Sequence, residues 1–264
     1  MRLFLIPVST RRTMLYAQRL GVTTSEGKAG LVDKVAVRAA TMWASFEKKE
    51  SGWQKKLVVY GNQAFRRIPF EEWGLKSIPP LSMRRRQEEL KEGGKVDLVF
   101  PSTVIAEKDA EALAKKLATE RQAYHRQRMT WSLIAAPFTI PFALIPVIPN
   151  IPLFYLLYRA WSHWKAVAGG KHVQWLLENK LLTSSPSAKL DELYTGRPKS
   201  EEEGLETPLF THSKIKEFSE TLALPDLETE LDRAIWQVET AQKKEREAKG
   251  VKGTETETKD KKDN

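Results

Sequence analysis

Residues 129–158, MTWSLIAAPFTIPFALIPVIPNIPLFYLLY, decide how this chain is read: thirty positions without a charged side chain, in a sequence that is 29% charged. Roughly twenty consecutive apolar residues cross a hydrocarbon core as a helix, so length permits a membrane segment. Five prolines argue against one straight helix. Pro137, Pro141, Pro146, Pro149 and Pro152 each remove a backbone donor and crowd the preceding turn. The segment therefore reads as a hairpin of two arms, about 131–144 and 151–167, joined by a break at 145–150.

Basic residues crowd both ends: Lys115, Lys116, Arg121, Arg126 and Arg128 before the segment, Arg159, Lys165 and Lys171 after it. Lysine and arginine mark the side that is not translocated, so both ends are expected on one face of a membrane. Trp131 at the entrance and Tyr158, Trp161 and Trp164 at the exit are the amphipathic rings that gather at headgroup level. An arm of about fourteen residues spans only about 21 Å, short of the roughly 30 Å core, which favours a shallow or re-entrant hairpin. Two other readings remain open: a single kinked span, and a proline-rich hairpin buried in a protein core.

Charge is unevenly distributed around this segment. Residues 1–200 carry 32 Lys+Arg against 17 Asp+Glu and residues 201–264 carry 11 against 17, so the overall +9 combines a basic body with an acidic tail. A basic body joined to an apolar hairpin suits an anionic lipid surface, where an interfacial lysine contributes about 1 kcal/mol. No nucleic-acid-binding fingerprint accompanies the charge, and no nucleic-acid partner is expected. The chain has no cysteine, which excludes disulfides, thiolate metal sites and cysteine nucleophiles.

Four regions follow along the chain: a basic helical region at 1–101, a long helix with the hairpin and a following helix at 102–195, an acidic linker with C-terminal helices at 196–249, and a disordered tail at 250–264. Residues 1–28 hold Arg2, Arg11, Arg12 and Arg19 and no acid before Glu26, the composition of a mitochondrial targeting segment. The run Leu3-Phe-Leu-Ile-Pro-Val8 within them is also a short strand, and a strand used in the fold is retained. Its natural partner is the comparable run at 95–101, KVDLVFP, so a small two-stranded β element is expected.

Apolar spacing predicts amphipathic helices at 29–49, 54–68, 213–222 and 226–249, with Trp236 beside the last stripe. Ser102 or Thr103 is expected to cap an alanine-rich helix running on through Arg128, and Gly169-Gly170 to break the helix after the hairpin. Residues 183–187, TSSPS, read as a loop. The fold class expected is mainly α: a helical, membrane-associated protein with a proline-broken apolar hairpin and that two-stranded element.

No reaction chemistry stands out. Gly21 and Gly27 are separated by five residues where a P-loop has four, and Ala29 stands where a magnesium-binding hydroxyl belongs. His125, His163, His172 and His212 show no ligand pair at helical spacing, and His125 and His163 read as residues at the ends of the membrane arms. No nucleophile and base stand in a recognisable arrangement. The expectation is a protein that is not an enzyme and that carries no metal or cofactor.

The opening MRLFLIPVSTRR, the string PFALIPVIPNIPLFYLLYRAWSHWKA from Pro141 to Ala166 and the following GGKHVQWLL together resemble the mitochondrial K+/H+ exchange-related family. The resemblance covers about residues 1–195. It implies an inner-membrane protein of potassium and proton homeostasis, part of an exchange complex or a homo-oligomer. Exchange needs an ionisable group inside a spanning helix, and residues 129–158 contain none, so a subunit or regulator is expected rather than a self-sufficient exchanger. The alternative is a membrane-anchored adaptor or assembly factor that binds anionic lipid or a protein partner.

Overall fold

The computed structural model describes residues 1–18, 41, 45–91, 95–144, 150–196 and 204–249. Most of the helix expected at 29–49, the turn residues Pro146 and Pro149, and the tail at 250–264 lie outside them. The described chain is an α/β structure around a four-stranded mixed sheet, which corrects the mainly α expectation. Strands β1 (Arg2–Pro7), β2 (Thr13–Gln18), β3 (Val96–Phe100) and β4 (Leu182–Pro186) lie in the order β2-β1-β3-β4. The two apolar runs do pair, in parallel, with Leu3 opposite Leu98. They form the centre of the sheet, not an isolated pair: β2 returns antiparallel to β1, and β4 adds a parallel strand from the segment that reads as a loop.

The uninterrupted apolar run of β1 has a physical reason in this order. A central strand covered on both faces is apolar at every position instead of alternating. Leu3 and Leu5 join Leu15, Leu98 and Phe100 on one face, under Ala110, Ala114 and Ala118 and under Ala166, Val173 and Leu176. Phe4 and Ile6 join Met14 and Tyr16 on the other, under Phe210, Phe218, Leu227, Leu231 and Ile235.

Helices α1 (Trp53–Arg66), α2 (Phe70–Ser77) and α3 (Met83–Lys91) connect β2 to β3. Between β3 and β4 run α4 (Glu107–Thr119), α5 (Gln122–Ala135), a 3-10 segment (Ala136–Leu144) and α6 (Ile151–Glu178). Helices α7 (Ala188–Leu193), α8 (Ile215–Leu222) and α9 (Leu227–Ala248) follow. Ser102 and Thr103 do not cap α4: both hydroxyls donate to the Asp191 carboxylate at the start of α7, 2.6 and 2.9 Å away. The alanine-rich helix is interrupted at Glu120–Arg121.

The apolar segment does fold back on itself, with α5 and α6 packed together. Among the described residues no helix is long and apolar enough to cross a membrane. Pro137 and Pro141 turn the end of the first arm into 3-10 geometry, and α6 has only eight residues before Arg159, about 12 Å of rise. Asn150 caps α6 by accepting from the Leu153 N–H at 3.1 Å, and Pro152 occupies its first turn, where a missing N–H costs nothing. The rest of α6 belongs to the body of the protein. Gly169 and Gly170 do not break it: an added Cβ at either would run into a backbone carbonyl, that of Leu75 in α2 or of Ala118 in α4. These glycines bring three helices into backbone contact.

Candidate functional site

Helix α2 comes from the eight residues FEEWGLKS between Pro69 and Ile78, too short and too mixed to announce itself by periodicity. It lies against edge strand β2, where Ser77 Oγ accepts from the Ala17 N–H at 2.8 Å and Gly74 sits on the Leu15 carbonyl. On its other side Gly169 of α6 meets the Leu75 carbonyl. Clamped between strand and helix, α2 delivers Glu72 from its first turn into the space between α5 and α6.

Three side chains meet there. Glu72, His125 of α5 and His163 of α6 are each at most 2% exposed. The sequence places both histidines seven residues, about two helical turns, from the contact of Ala118 with Gly170, so they face each other across the hairpin. Arg159 grips Glu72 with both ends of its guanidinium, at 2.8 and 3.1 Å, and the Ser162 hydroxyl donates to the same carboxylate at 2.6 Å. Burial opposes the charge on Glu72, but these donors outweigh it and hold its pKa below the ordinary carboxylate value.

The hydrogen-bond pattern fixes the tautomers. Arg159 Nη2 lies 3.0 Å from His163 Nε2, and a guanidinium can only donate, so that nitrogen accepts and the ring proton sits on Nδ1. His163 Nδ1 then donates across 3.0 Å to His125 Nδ1, which leaves the His125 proton on Nε2. His125 Nε2 is buried without a hydrogen-bond partner among the described residues. Burial pushes both rings toward the neutral form, His163 down to about 4. With both imidazoles neutral, Glu72 and Arg159 balance each other's charge.

A second buried group lies one turn further along α2. Lys76 stands 3.3 Å over the Trp73 ring and donates to Tyr158 Oη at 3.2 Å. Burial lowers its pKa to about 7 and raises that of Tyr158 to about 12. Arg233 of α9 covers the Trp73 ring from 4.2 Å and pairs with Glu230.

The residues expected to line a membrane segment divide accordingly. Arg159 and Tyr158 turn inward to the Glu72 cluster and Lys76. Trp131, Trp161 and Trp164 are exposed, as are Leu133, Ile134, Phe138, Ile140 and Phe154 on the same hairpin. Lys165 lies 5.7 Å from the Trp161 ring, Arg128 lies 5.3 Å from the Tyr124 ring, and Arg126 is exposed. Glu72 is the residue that sequence reasoning missed altogether, and the histidines are core partners instead of residues at the ends of membrane arms. One signal pointed to them: the position midway between His125 and His163 is Leu144, at the edge of the proline-rich break, so a hairpin turning there sets the two opposite each other.

Sheet, hairpin and cluster together describe an α/β scaffold that displays an apolar helical hairpin and buries an ion-paired cluster at its base. Residues 2–177 match the family described as mitochondrial K+-H+ exchange-related, and the chain belongs to that family. The match includes α2, α5 and most of α6, and so every residue of the Glu72 cluster. A protein of Schizosaccharomyces pombe is 28% identical over 240 residues, covering 90% of this chain and 96% of its own length. One of Saccharomyces cerevisiae is 27% identical over 271 residues, covering 90% of this chain and 85% of its own. Both bear the description uncharacterized. No solved structure matches the chain.

Proposed function

We propose that this protein serves mitochondrial potassium–proton exchange as a subunit or regulator at the inner membrane, resting on the anionic lipid surface without itself forming the ion path. The observation that carries this reading is the exposed apolar side of the hairpin: Phe138 is 77% exposed, and Trp131 and Phe154 are each 61% exposed. Large apolar side chains gathered on one exposed element mark an interaction surface. Trp131, Tyr155, Trp161 and Trp164 are the residue types that settle at headgroup level, and Arg126, Arg128 and Lys165 on the same helices suit anionic phosphates. A path for exchanged ions needs an ionisable site within a spanning structure. Here the ionisable cluster sits on helices none of which is long and apolar enough to cross a membrane.

The test pairs binding with physiology. Full-length protein should sediment with vesicles rich in a doubly anionic phospholipid, less so as salt rises, and weakly with zwitterionic vesicles. Phe138→Asp/Phe154→Asp should abolish sedimentation and fail to correct matrix swelling in mitochondria lacking the protein, swelling that a K+/H+ ionophore reverses. Wild-type protein that ignores anionic vesicles would sink the surface reading. Robust K+-driven proton flux from purified protein alone would sink the regulator reading. Failed partner assembly without swelling would replace exchange by the adaptor role.

A further inference from the structure

We infer that Glu72, His125 and His163 form a binding site for a divalent transition ion of the zinc class. The facing atoms are Glu72 Oε2, His125 Nδ1 and His163 Nδ1, and they form a triangle with sides of 3.0, 3.6 and 3.9 Å. The point equidistant from the three lies about 2.1 Å from each, the bond length of zinc to an imidazole nitrogen or a carboxylate oxygen. Two imidazoles and one carboxylate are a donor set that suits zinc and leaves a fourth position for water. Potassium does not fit here. Even calcium stands 2.3–2.6 Å from its donors and takes six or more oxygens, and two of these three donors are nitrogens. The site is therefore not one for potassium, and it stands whether or not the exchange reading holds.

The surroundings are arranged as ligand supports are. The Ser162 hydroxyl and Arg159 Nη1 both donate to Glu72 Oε1 and Arg159 Nη2 donates to Oε2 at 3.1 Å, which orients the carboxylate with Oε2 turned to the histidines. His125 already holds its proton on Nε2, so its Nδ1 lone pair is available to an ion without rearrangement. His163 holds its proton on Nδ1, and that proton must move to Nε2 before Nδ1 can coordinate. Arg159 Nη2 now donates to that Nε2 as well as to Glu72 Oε2 and has to let go of the ring, while both ends of the guanidinium keep Glu72. No proton is gained or lost overall. The hydrogen bond between the rings is exchanged for an ion between them, and Arg159 shifts its grip. The site thus has two states, an ion-free one closed by a single shared proton and an ion-filled one in which Arg159 holds Glu72 alone.

Cobalt is the probe, because its visible absorption reports ligand number and type. Full-length protein stripped with a chelator should take up one Co2+ per chain, with the absorption of a four-coordinate nitrogen–oxygen site, and Zn2+ should displace it. His125→Gln and His163→Gln should each weaken binding by about tenfold or more. His212→Gln, which changes an exposed histidine beside Asp232 and Glu239, should leave it unchanged. Absence of stoichiometric uptake overturns the inference, and so does uptake that survives both substitutions or that is lost with His212. Should the His125 and His163 variants lose their circular dichroism, ring-nitrogen NMR of the wild type decides: Zn2+ must shift Nδ1 of both histidines, and unshifted resonances refute the site.

Discussion

Lys76 makes stability depend on pH in a direction opposite to the usual one for a basic residue. Its side chain is buried among Trp73, Tyr158 and Trp161. Charged groups approach from three helices: Glu72 on α2, Arg159 on α6, and Glu230 and Arg233 on α9. Burial dominates and lowers the folded-state pKa from 10.5 to about 7. Below pH 7 both folded and unfolded chains carry the ammonium, and the full cost of burying it is present. Between about 7 and 10.5 the unfolded chain holds a proton that the folded chain has released, so stability rises with pH. From pH 6.5 to 9.5 the gain is on the order of 3 kcal/mol, and contact with the aromatic faces, which favours the ammonium by about 1 kcal/mol, reduces it to about 2. The assay is urea unfolding of wild type and Lys76→Met at both pH values. The variant has no charge to bury, so its advantage at pH 6.5 should shrink by about 2 kcal/mol at pH 9.5. A stability difference that is the same at both pH values would refute the assignment of a buried, readily neutralised lysine.

Gly169→Ala should lower stability by about 2 kcal/mol or more in urea unfolding, because the new Cβ meets the Leu75 carbonyl and pushes α6 off α2; an unchanged midpoint would mean that the backbones are not in contact. Glu72→Leu should cost about 3–5 kcal/mol by leaving Arg159 without its buried counter-charge, and Glu72→Leu/Arg159→Met should recover most of that loss. A double variant as unstable as the single one would show that the charge pair is not what matters at that position.

The two middle strands were legible in the sequence because LFLIPV and VDLVF are short apolar runs that need a partner strand, the first buried at every position and the second at alternate ones. Their edge partners were not. Residues 13–18, TMLYAQ, sit inside a stretch whose basic charge points to targeting, and residues 182–186, LTSSP, have the composition of a loop and become a strand because β3 offers them a register. The C-terminal helices were legible, since Leu227, Leu231, Ile235 and Val238 repeat at helical spacing and all four are buried. The hairpin was legible as a hairpin and misread as to its surroundings. Composition records that residues 129–158 avoid charge, but not that α6 continues past them into the core, where Gly169 and Gly170 allow the close packing that a glycine pair in isolation argues against. The cluster was hidden for the same reason: Glu72 lies in an eight-residue helix between prolines, and its partners are brought to it by tertiary contacts.

The sheet is completed and covered by residues beyond the family match. The family match ends at residue 177, yet β4 and the helices lying over Phe4, Ile6, Met14 and Tyr16 come afterwards. Without those helices the Phe4 side of the sheet would be open to water apart from Phe70. Natural variation should accordingly fall most freely on the outer surface of those helices and least on the residues they press against the sheet.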